Sequence, residues 1–470
     1  MNLTLGEVAA HLGTSSGAPD RPIKGYSIDS RSLLPGQLFF AIHGPRFDGH
    51  EFVPDVLMRG AAGAVVEEDF LGNVTEERRR MLVAVPDTRI ALQTLGREVR
   101  RKWGRQLVAV TGSAGKSTTK EMIASILGSR FNVMRSPGNL NNDFGVPLAL
   151  LGLEPEHDVA VMELGMSAPG EIARLASLAE PEIGVVTNVG AAHLQFFKSV
   201  EEIAAAKREL VDYLAAEGAQ STSILNEDDE RVRHFSESFP GRVLTFGFSP
   251  QAAFRAVDLR PGLGIGSRFR VVAPDWQSDF TLALPGGYNV QNALAAITAA
   301  SIWGIPPSEM TKALAEFQNL HQRSEILVLP NEITVINDSY NSNPLAMVRM
   351  LEALAAWPGA RRRLVVAGEM LELGGASPQL HRGVGRKCAQ SGVDWLIAVK
   401  GDARYFLEGA EEGGIPRSRQ LFFPDAKPAG EFCKSLARSG DVILIKGSRG
   451  VHLESAIEVL TKEEASVRIR

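Results

Sequence analysis

The sequence predicts an α/β protein of three domains, and three observations carry that expectation. Short apolar runs alternate with helical patterns in two separate stretches, the rhythm of parallel sheets covered by helices on both faces. One such run passes straight into a glycine-rich phosphate loop that opens a helix. The chain has 470 residues, and at roughly 100–200 residues per domain that leaves room for about three.

The first block, residues 1–86, is small and mixed α/β. Leu38-Phe39-Phe40-Ala41-Ile42 and Ala64-Val65-Val66 read as short strands, with Gly and Pro punctuation at Pro35-Gly36 and Gly44-Pro45. A helix over Arg89–Trp103 leads into the second block, residues 87–320. There Leu107–Thr111 is a buried strand, a helical pattern starts at Lys116, and Asp158–Glu163 and Ile183–Asn188 are the next strands. The third block, residues 321–470, repeats the rhythm with Thr334–Ile336, Arg363–Ala367, Trp395–Val399 and Val442–Ile445, and reads as a smaller Rossmann-like sheet.

Hydrophobic residues make up 44% and charged residues 22%, enough apolar content for each block to have its own core. Fifty Lys plus Arg against 55 Asp plus Glu leave a net charge of −5. That excludes a nucleic-acid binder working through bulk positive charge, though not one that holds small anions through local cations. Cys388 and Cys433 are too few for a disulfide framework and read as buried small hydrophobes. The N-terminal residues have no basic or apolar leader pattern, and no apolar run is long enough for a bilayer. The cytoplasm is the expected compartment, with no membrane segment and no nucleic-acid partner.

Gly112, Ser113, Ala114, Gly115, Lys116, Ser117 and Thr118 form the phosphate loop. Glycines let backbone N–H groups face phosphate oxygens, and the helix N-terminus adds partial positive charge. Lys116 would reach the β- and γ-phosphates and the Ser117 hydroxyl a Mg²⁺ ion. Val110 stands where the usual pattern has its first glycine, which speaks against a generic kinase or GTPase, and no guanine-reading Asn-Lys-x-Asp motif follows. Glu163 closes the next strand, and His193 follows the strand after that. Ligands gather at the carboxyl edges of such sheets, so these two are candidate ligands for Mg²⁺ or Mn²⁺ beside the nucleotide. Lys207, read from its own stretch, is a solvated surface lysine.

Together these stretches resemble the Mur ligase family, whose members add amino acids to UDP-N-acetylmuramic acid, and the resemblance runs along nearly the whole chain. It implies a UDP-substrate domain (1–86), a central ATP-binding domain (87–320) and a C-terminal Rossmann-like domain (321–470). It implies Lys116, His193 and Lys207 as catalytic residues. Ser117, Glu163, His193 and Lys207 would hold two Mg²⁺ ions, with Lys207 carbamylated so that its side chain becomes an anion. The segment Gly286–Ala293 is similar to the family's adenosine-contacting segment through Asn289 and Asn292, with Tyr288 where the family usually has His. Arg323 and Asp338 match its nucleotide contacts from the third domain. Asp29, Ser30 and Arg31, with Arg46, Asp48, Gly49 and His50, look like the uridine-nucleotide pocket.

Two Asn-rich loops, one holding Asn139, Asn141 and Asn142 and the other Tyr340, Asn341 and Asn343, resemble the D-alanyl-D-alanine-adding branch of the family. So does Lys446-Gly447-Ser448-Arg449-Gly450. The resemblance therefore implies UDP-N-acetylmuramoyl-tripeptide and D-alanyl-D-alanine as substrates of a monomer. Read alone, Asn-rich loops are equally turns or caps, and Asp29 with Arg31 an ordinary exposed ion pair. Two alternatives stay open: a related Mur-type or folylpolyglutamate-type ligase with another amino acid, and a P-loop switch without ligase chemistry. The Asp29–Arg31 and Asp48–His50 stretches speak against the folylpolyglutamate type. The set Glu163, His193 and Lys207 speaks against the switch.

Overall fold

The computed structural model describes residues 3–44, 47–73, 75–262, 266–318, 320–329, 332–462 and 467–468. Three sheets organise the chain, one per domain. The first is four parallel strands in sequence order, Tyr26–Ser27, Leu38–Phe40, Gly63–Glu67 and Leu82–Val85. The helix Thr88–Trp103 leaves it. Its ends are written in the sequence: Asp87 accepts the Ile90 N–H at 2.9 Å as N-cap, and Gly104 stops it at φ 65°. Leu92, Leu95 and Val99 on this helix are buried in one apolar cluster with Val65 and Val83 of the first sheet and Leu107 and Ala109 of the central one. The first two domains thus share a continuous core.

The central sheet has nine strands. Val133–Arg135, Val159–Glu163, Leu107–Thr111, Ile183–Val186, Thr222–Asn226, Arg242–Gly247 and Phe254–Pro261 run parallel in that spatial order. Ser267–Val272 and Gln277–Leu282 extend it antiparallel. The phosphate-loop strand Leu107–Thr111 lies between the strands ending at Glu163 and Val186, so the chain diverges on either side of it and leaves a crevice at the carboxyl edge.

The third sheet has five parallel strands, Gln420–Phe423, Trp395–Val399, Arg362–Gly368, Asp441–Lys446 and Thr334–Asp338, with Glu325–Val328 and Val467–Arg468 antiparallel at one edge. Its two faces bury separate apolar clusters. Among the described residues no helix is long and apolar enough to cross a membrane.

Candidate active site

The carboxyl edges of the central and third sheets face each other across a cleft of about 680 Å³. The phosphate loop forms one wall. Gly115, at φ 84°, precedes the helix Lys116–Leu127, and a side chain on it would collide with Asn292. The strand end Thr187-Asn188 braces the loop. Asn188 accepts the Ala114 N–H and donates to the Ala114 carbonyl, both at 2.9 Å, while the Thr187 hydroxyl donates to the same carbonyl at 2.7 Å. Each loop group held this way is one less degree of freedom to fix when a phosphate arrives.

Lys116 donates to the Gly112 carbonyl at 2.9 Å. Burial, reinforced by Arg323, pushes its ammonium below the ordinary lysine value, while Glu163 opposes the shift. The Ser117 hydroxyl donates to Glu163 Oε2 at 2.5 Å, and Asn141 donates to Glu163 Oε1 at 2.8 Å. Burial disfavours the Glu163 carboxylate, but the positive charges of Lys116 and Arg323 outweigh it and hold the group ionised. A hydroxyl and a carboxylate in contact at a phosphate loop suit a hard divalent cation whose remaining ligands are phosphate oxygens and water. Among the described residues no cluster of three or more His, Cys, Asp or Glu could hold an ion by itself.

His193 lies on the same cleft and bridges to the third domain. Its Nδ1 is 2.6 Å from Glu372 Oε2, and the Gln195 N–H donates to the Glu372 carbonyl at 2.9 Å. The hydrogen bond with His193 keeps the Glu372 carboxyl below its usual range, so the carboxylate accepts and Nδ1 donates. Both residues adopt positive φ, 60° and 63°, a conformation non-glycine residues rarely hold without surrounding support.

Lys207 is a correction to the surface reading. It is 2% exposed, on the buried stripe of the helix Val200–Glu217 with Ile203, Ala204, Leu210 and Val211. Among the described residues nothing hydrogen-bonds its amine. Burial, with the nearby Lys116 charge, drives it well below the ordinary lysine value against the pull of Glu163. Its neutral form is therefore favoured.

From the third domain, Asn343 donates to the Ser113 carbonyl at 3.1 Å, which joins that domain to the phosphate loop. Arg323 lies over the Tyr340 ring, its Cζ 4.0 Å from the centroid. Asp338 is already engaged: it pairs with Lys446 at 2.5 Å and accepts the Ser324 N–H at 2.9 Å. Asn141, Asn142, Asn139 and Asn341 also line the cleft, as do Ser113, Ala114, Thr118 and Asn292.

Several expected contacts are not on this wall. Asn289 is 1% exposed and donates to Pro285 O at 2.8 Å, holding the start of its helix. His50 is 7% exposed with both ring nitrogens engaged, Nδ1 with Asp48 at 2.7 Å and Nε2 accepting the Glu67 N–H at 2.9 Å. It fixes the loop geometry of Asp48 and Gly49 and has no free nitrogen to offer a ligand. Asp29 and Arg31 form a bidentate pair at 2.9 and 2.7 Å on the first domain's surface, which holds the Asp29 carboxyl at about 2. Ser30 offers its carbonyl to Arg59. Arg46 lies outside the described residues. Sequence reasoning missed Asn188, whose only signal is its place at a strand's carboxyl end, and Arg349, a cleft-lining arginine on the helix Pro344–Ala355.

Three family models match the chain: the Mur ligase middle domain over residues 110–300, the glutamate ligase domain of Mur ligases over 307–449, and the catalytic domain of the Mur ligase family over 22–100. A Bacillus subtilis protein named UDP-N-acetylmuramoyl-tripeptide–D-alanyl-D-alanine ligase is 32% identical over 94% of this chain and 94% of its own. A crystal structure of MurF from Acinetobacter baumannii superposes with a TM-score of 0.86 at 30% identity, covering 98% of this chain and 99% of that one. MurF ligase from Thermotoga maritima, solved in complex with ADP, gives 0.80 at 27% identity over 93% and 97%. Agreement over all three domains, on a fold whose central and third sheets meet at a phosphate loop, leaves one conclusion: this chain belongs to the Mur ligase family.

Proposed function

We propose that this chain is an ATP-dependent ligase that adds D-alanyl-D-alanine to UDP-N-acetylmuramoyl-tripeptide and so makes the UDP-linked pentapeptide of peptidoglycan synthesis. The observation that carries the reading is the two-walled cleft. The phosphate loop, Ser117 and Glu163 come from the central domain, and Arg323 and Asn343 close on them from the third. Relatives that align along nearly the whole chain, named for this reaction, supply the substrates. In this reading residues 1–86 hold the UDP moiety through Asp29, Ser30, Arg31 and Asp48, residues 87–320 hold ATP, and residues 321–470 bring the amine. A folylpolyglutamate-type ligase is disfavoured by the first domain's own sheet and its Mur family match.

The tripeptide carboxylate attacks the γ-phosphorus of ATP, and ADP leaves. The amine then attacks the acyl-phosphate carbon, and inorganic phosphate leaves as the amide forms. Two anions must approach in the first step, so the chain's contribution is positive charge and positioning. Lys116 and the loop N–H groups face the phosphates, Arg323 adds charge from the opposite wall, and Asn188 keeps the loop preformed. Ser117, Glu163 and His193 would hold Mg²⁺ or Mn²⁺, with a carbamylated Lys207 serving a second ion, and the metal supplies further neutralisation of the phosphates. Glu372 engages His193 Nδ1 and so orients the ring. All these groups come from one chain, so a monomer suffices, and the nucleotide substrates suit the cytoplasm.

The test is ADP release with purified protein. Release should require both UDP-N-acetylmuramoyl-tripeptide and D-alanyl-D-alanine. Equal release with either omitted, or with L-glutamate replacing the dipeptide, defeats the assignment.

A further inference from the structure

We infer that Arg449 binds the C-terminal carboxylate of the amine substrate. The inference rests on the ligase reading and adds a residue to it. Among the described residues five lysines and arginines line the cleft: Lys116, Arg323, Arg349, Lys446 and Arg449. Each of the first four has a place that leaves it unsuited to this carboxylate. Lys116 belongs to the phosphate loop. Lys446 is neutralised by Asp338 at 2.5 Å and donates to the Asn341 carbonyl at 2.8 Å. Arg323 lies close enough to Lys116 and Glu163 for its charge to act on both, which sets it at the phosphate loop. Arg349, on the helix Pro344–Ala355, already lies in the fields of the Asp229 and Glu352 carboxylates.

Arg449 is held but not neutralised. Its Nη1 donates to the neutral Gln322 side chain at 2.9 Å, and its Cζ lies 5.6 Å from the Tyr340 ring centroid. Among the described residues no carboxylate pairs with it. One edge and one face of the guanidinium are therefore oriented, and most of its five N–H donors remain for a ligand. Its loop is anchored toward the His193 end of the cleft. The Ser448 hydroxyl accepts the Leu371 N–H at 2.9 Å, Glu372 follows directly and reaches His193, and the Gly450 carbonyl accepts from Lys400 at 2.9 Å.

The chemistry asks for a cation in this position. The attacking amine has to reach the acyl carbon beside the phosphate loop. The carboxylate of a dipeptide lies at most about 7 Å further along the chain. The cleft already carries the Glu163 and Glu372 carboxylates, so an added carboxylate meets repulsion there unless a cation faces it. An arginine with free, pre-oriented donors answers that repulsion and matches a carboxylate's two oxygens. The same contact selects a free C-terminus over a blocked one.

The experiment compares D-alanyl-D-alanine with D-alanyl-D-alaninamide in wild type, Arg449→Ala and Arg449→Lys, reading ADP release at saturating ATP and UDP-tripeptide. Wild type should favour the acid by about ten- to hundredfold in kcat/KM, the range for a lost charged hydrogen bond. In Arg449→Ala that ratio should fall close to one through a higher KM for the acid, with the amide used as well as by wild type and the KM for ATP unchanged. Arg449→Lys should fall between. A wild-type acid preference persisting in Arg449→Ala overturns the inference, as does a rise confined to the KM for ATP. Parallel loss of acid and amide turnover, the signature of a disturbed fold, overturns it too. If wild type does not use the dipeptide at all, the ligase reading itself fails and Arg449's role falls with it.

Discussion

Lys207 is buried on the apolar stripe of its helix with Lys116 and Glu163 nearby, and burial pushes its amine toward the neutral form. A neutral amine can add to CO₂ and release a proton, and the carbamate so formed is an anion beside Lys116. Neutral lysine is otherwise a poor choice for an interior, because its desolvated nitrogen costs stability. We therefore predict that Lys207→Ala folds, by thermal melting, yet loses ligase activity. The substitution leaves a small cavity, which acetate or formate can enter, so millimolar formate should restore part of the ADP release. Lys207→Arg stays positive, cannot be carbamylated, and should remain inactive with or without formate. Wild-type activity in Lys207→Ala would rule the carbamate out. The burial was legible in principle: Ile203, Ala204, Leu210 and Val211 stand three and four residues either side, all on the apolar stripe. Reading the lysine by its charge and its immediate Ala neighbours hides that periodicity.

At the level of elements, Asn343 shows how the modest and the functional readings of one residue coexist. Its Oδ1 accepts the Ala346 N–H at 2.8 Å and caps the helix Pro344–Ala355, while its Nδ2 donates to the Ser113 carbonyl of the phosphate loop at 3.1 Å. The two roles separate by substitution. Asn343→Asp keeps the cap and loses the donor, so melting should be nearly unchanged while kcat falls. Asn343→Ala loses both and should also destabilise the third domain by about 1 kcal/mol. Equal kcat for wild type and Asn343→Asp would show that the bridge to Ser113 does not matter. Strands were legible where both faces are covered, as in Leu107–Thr111 and Trp395–Val399, because these are unbroken apolar runs. The antiparallel strands Ser267–Val272 and Gln277–Leu282 are hard to read from sequence because only alternate residues, such as Phe269, Val271 and Phe280, turn inward. The phosphate loop and Glu163 were legible because their chemistry is local in sequence. The Glu372–His193 bridge was not, since 179 residues separate its halves and only the fold joins them.

Across the whole molecule, the domains are joined in two different ways. The first and central domains share one apolar cluster through the helix Thr88–Trp103. The third domain has separate clusters, packed by the Tyr288 ring of the central domain, and joins that domain further through polar contacts: His193 with Glu372, Asn343 with Ser113, and the Tyr288 hydroxyl with Ser324 Oγ at 3.0 Å. Arg31, proposed to contact the UDP moiety, does not line the ATP cleft. Arg31→Ala should raise the KM for the UDP substrate and spare that for ATP, and a rise for ATP alone would show that the domain roles are misassigned. Cooperativity should follow the same division, because shared apolar burial couples unfolding more strongly than a few surface-type hydrogen bonds worth about 1 kcal/mol each. In hydrogen exchange across a urea series, peptides from the first and central domains should lose protection together and those from the third domain at a different midpoint. In the proposed reading a non-hydrolysable ATP analogue with Mg²⁺ would touch both walls of the cleft, and ligand bound only by the folded pair stabilises both partners. It should therefore draw the two midpoints together. A single midpoint for all three domains without nucleotide would overturn this division, and so would two midpoints that nucleotide leaves equally far apart.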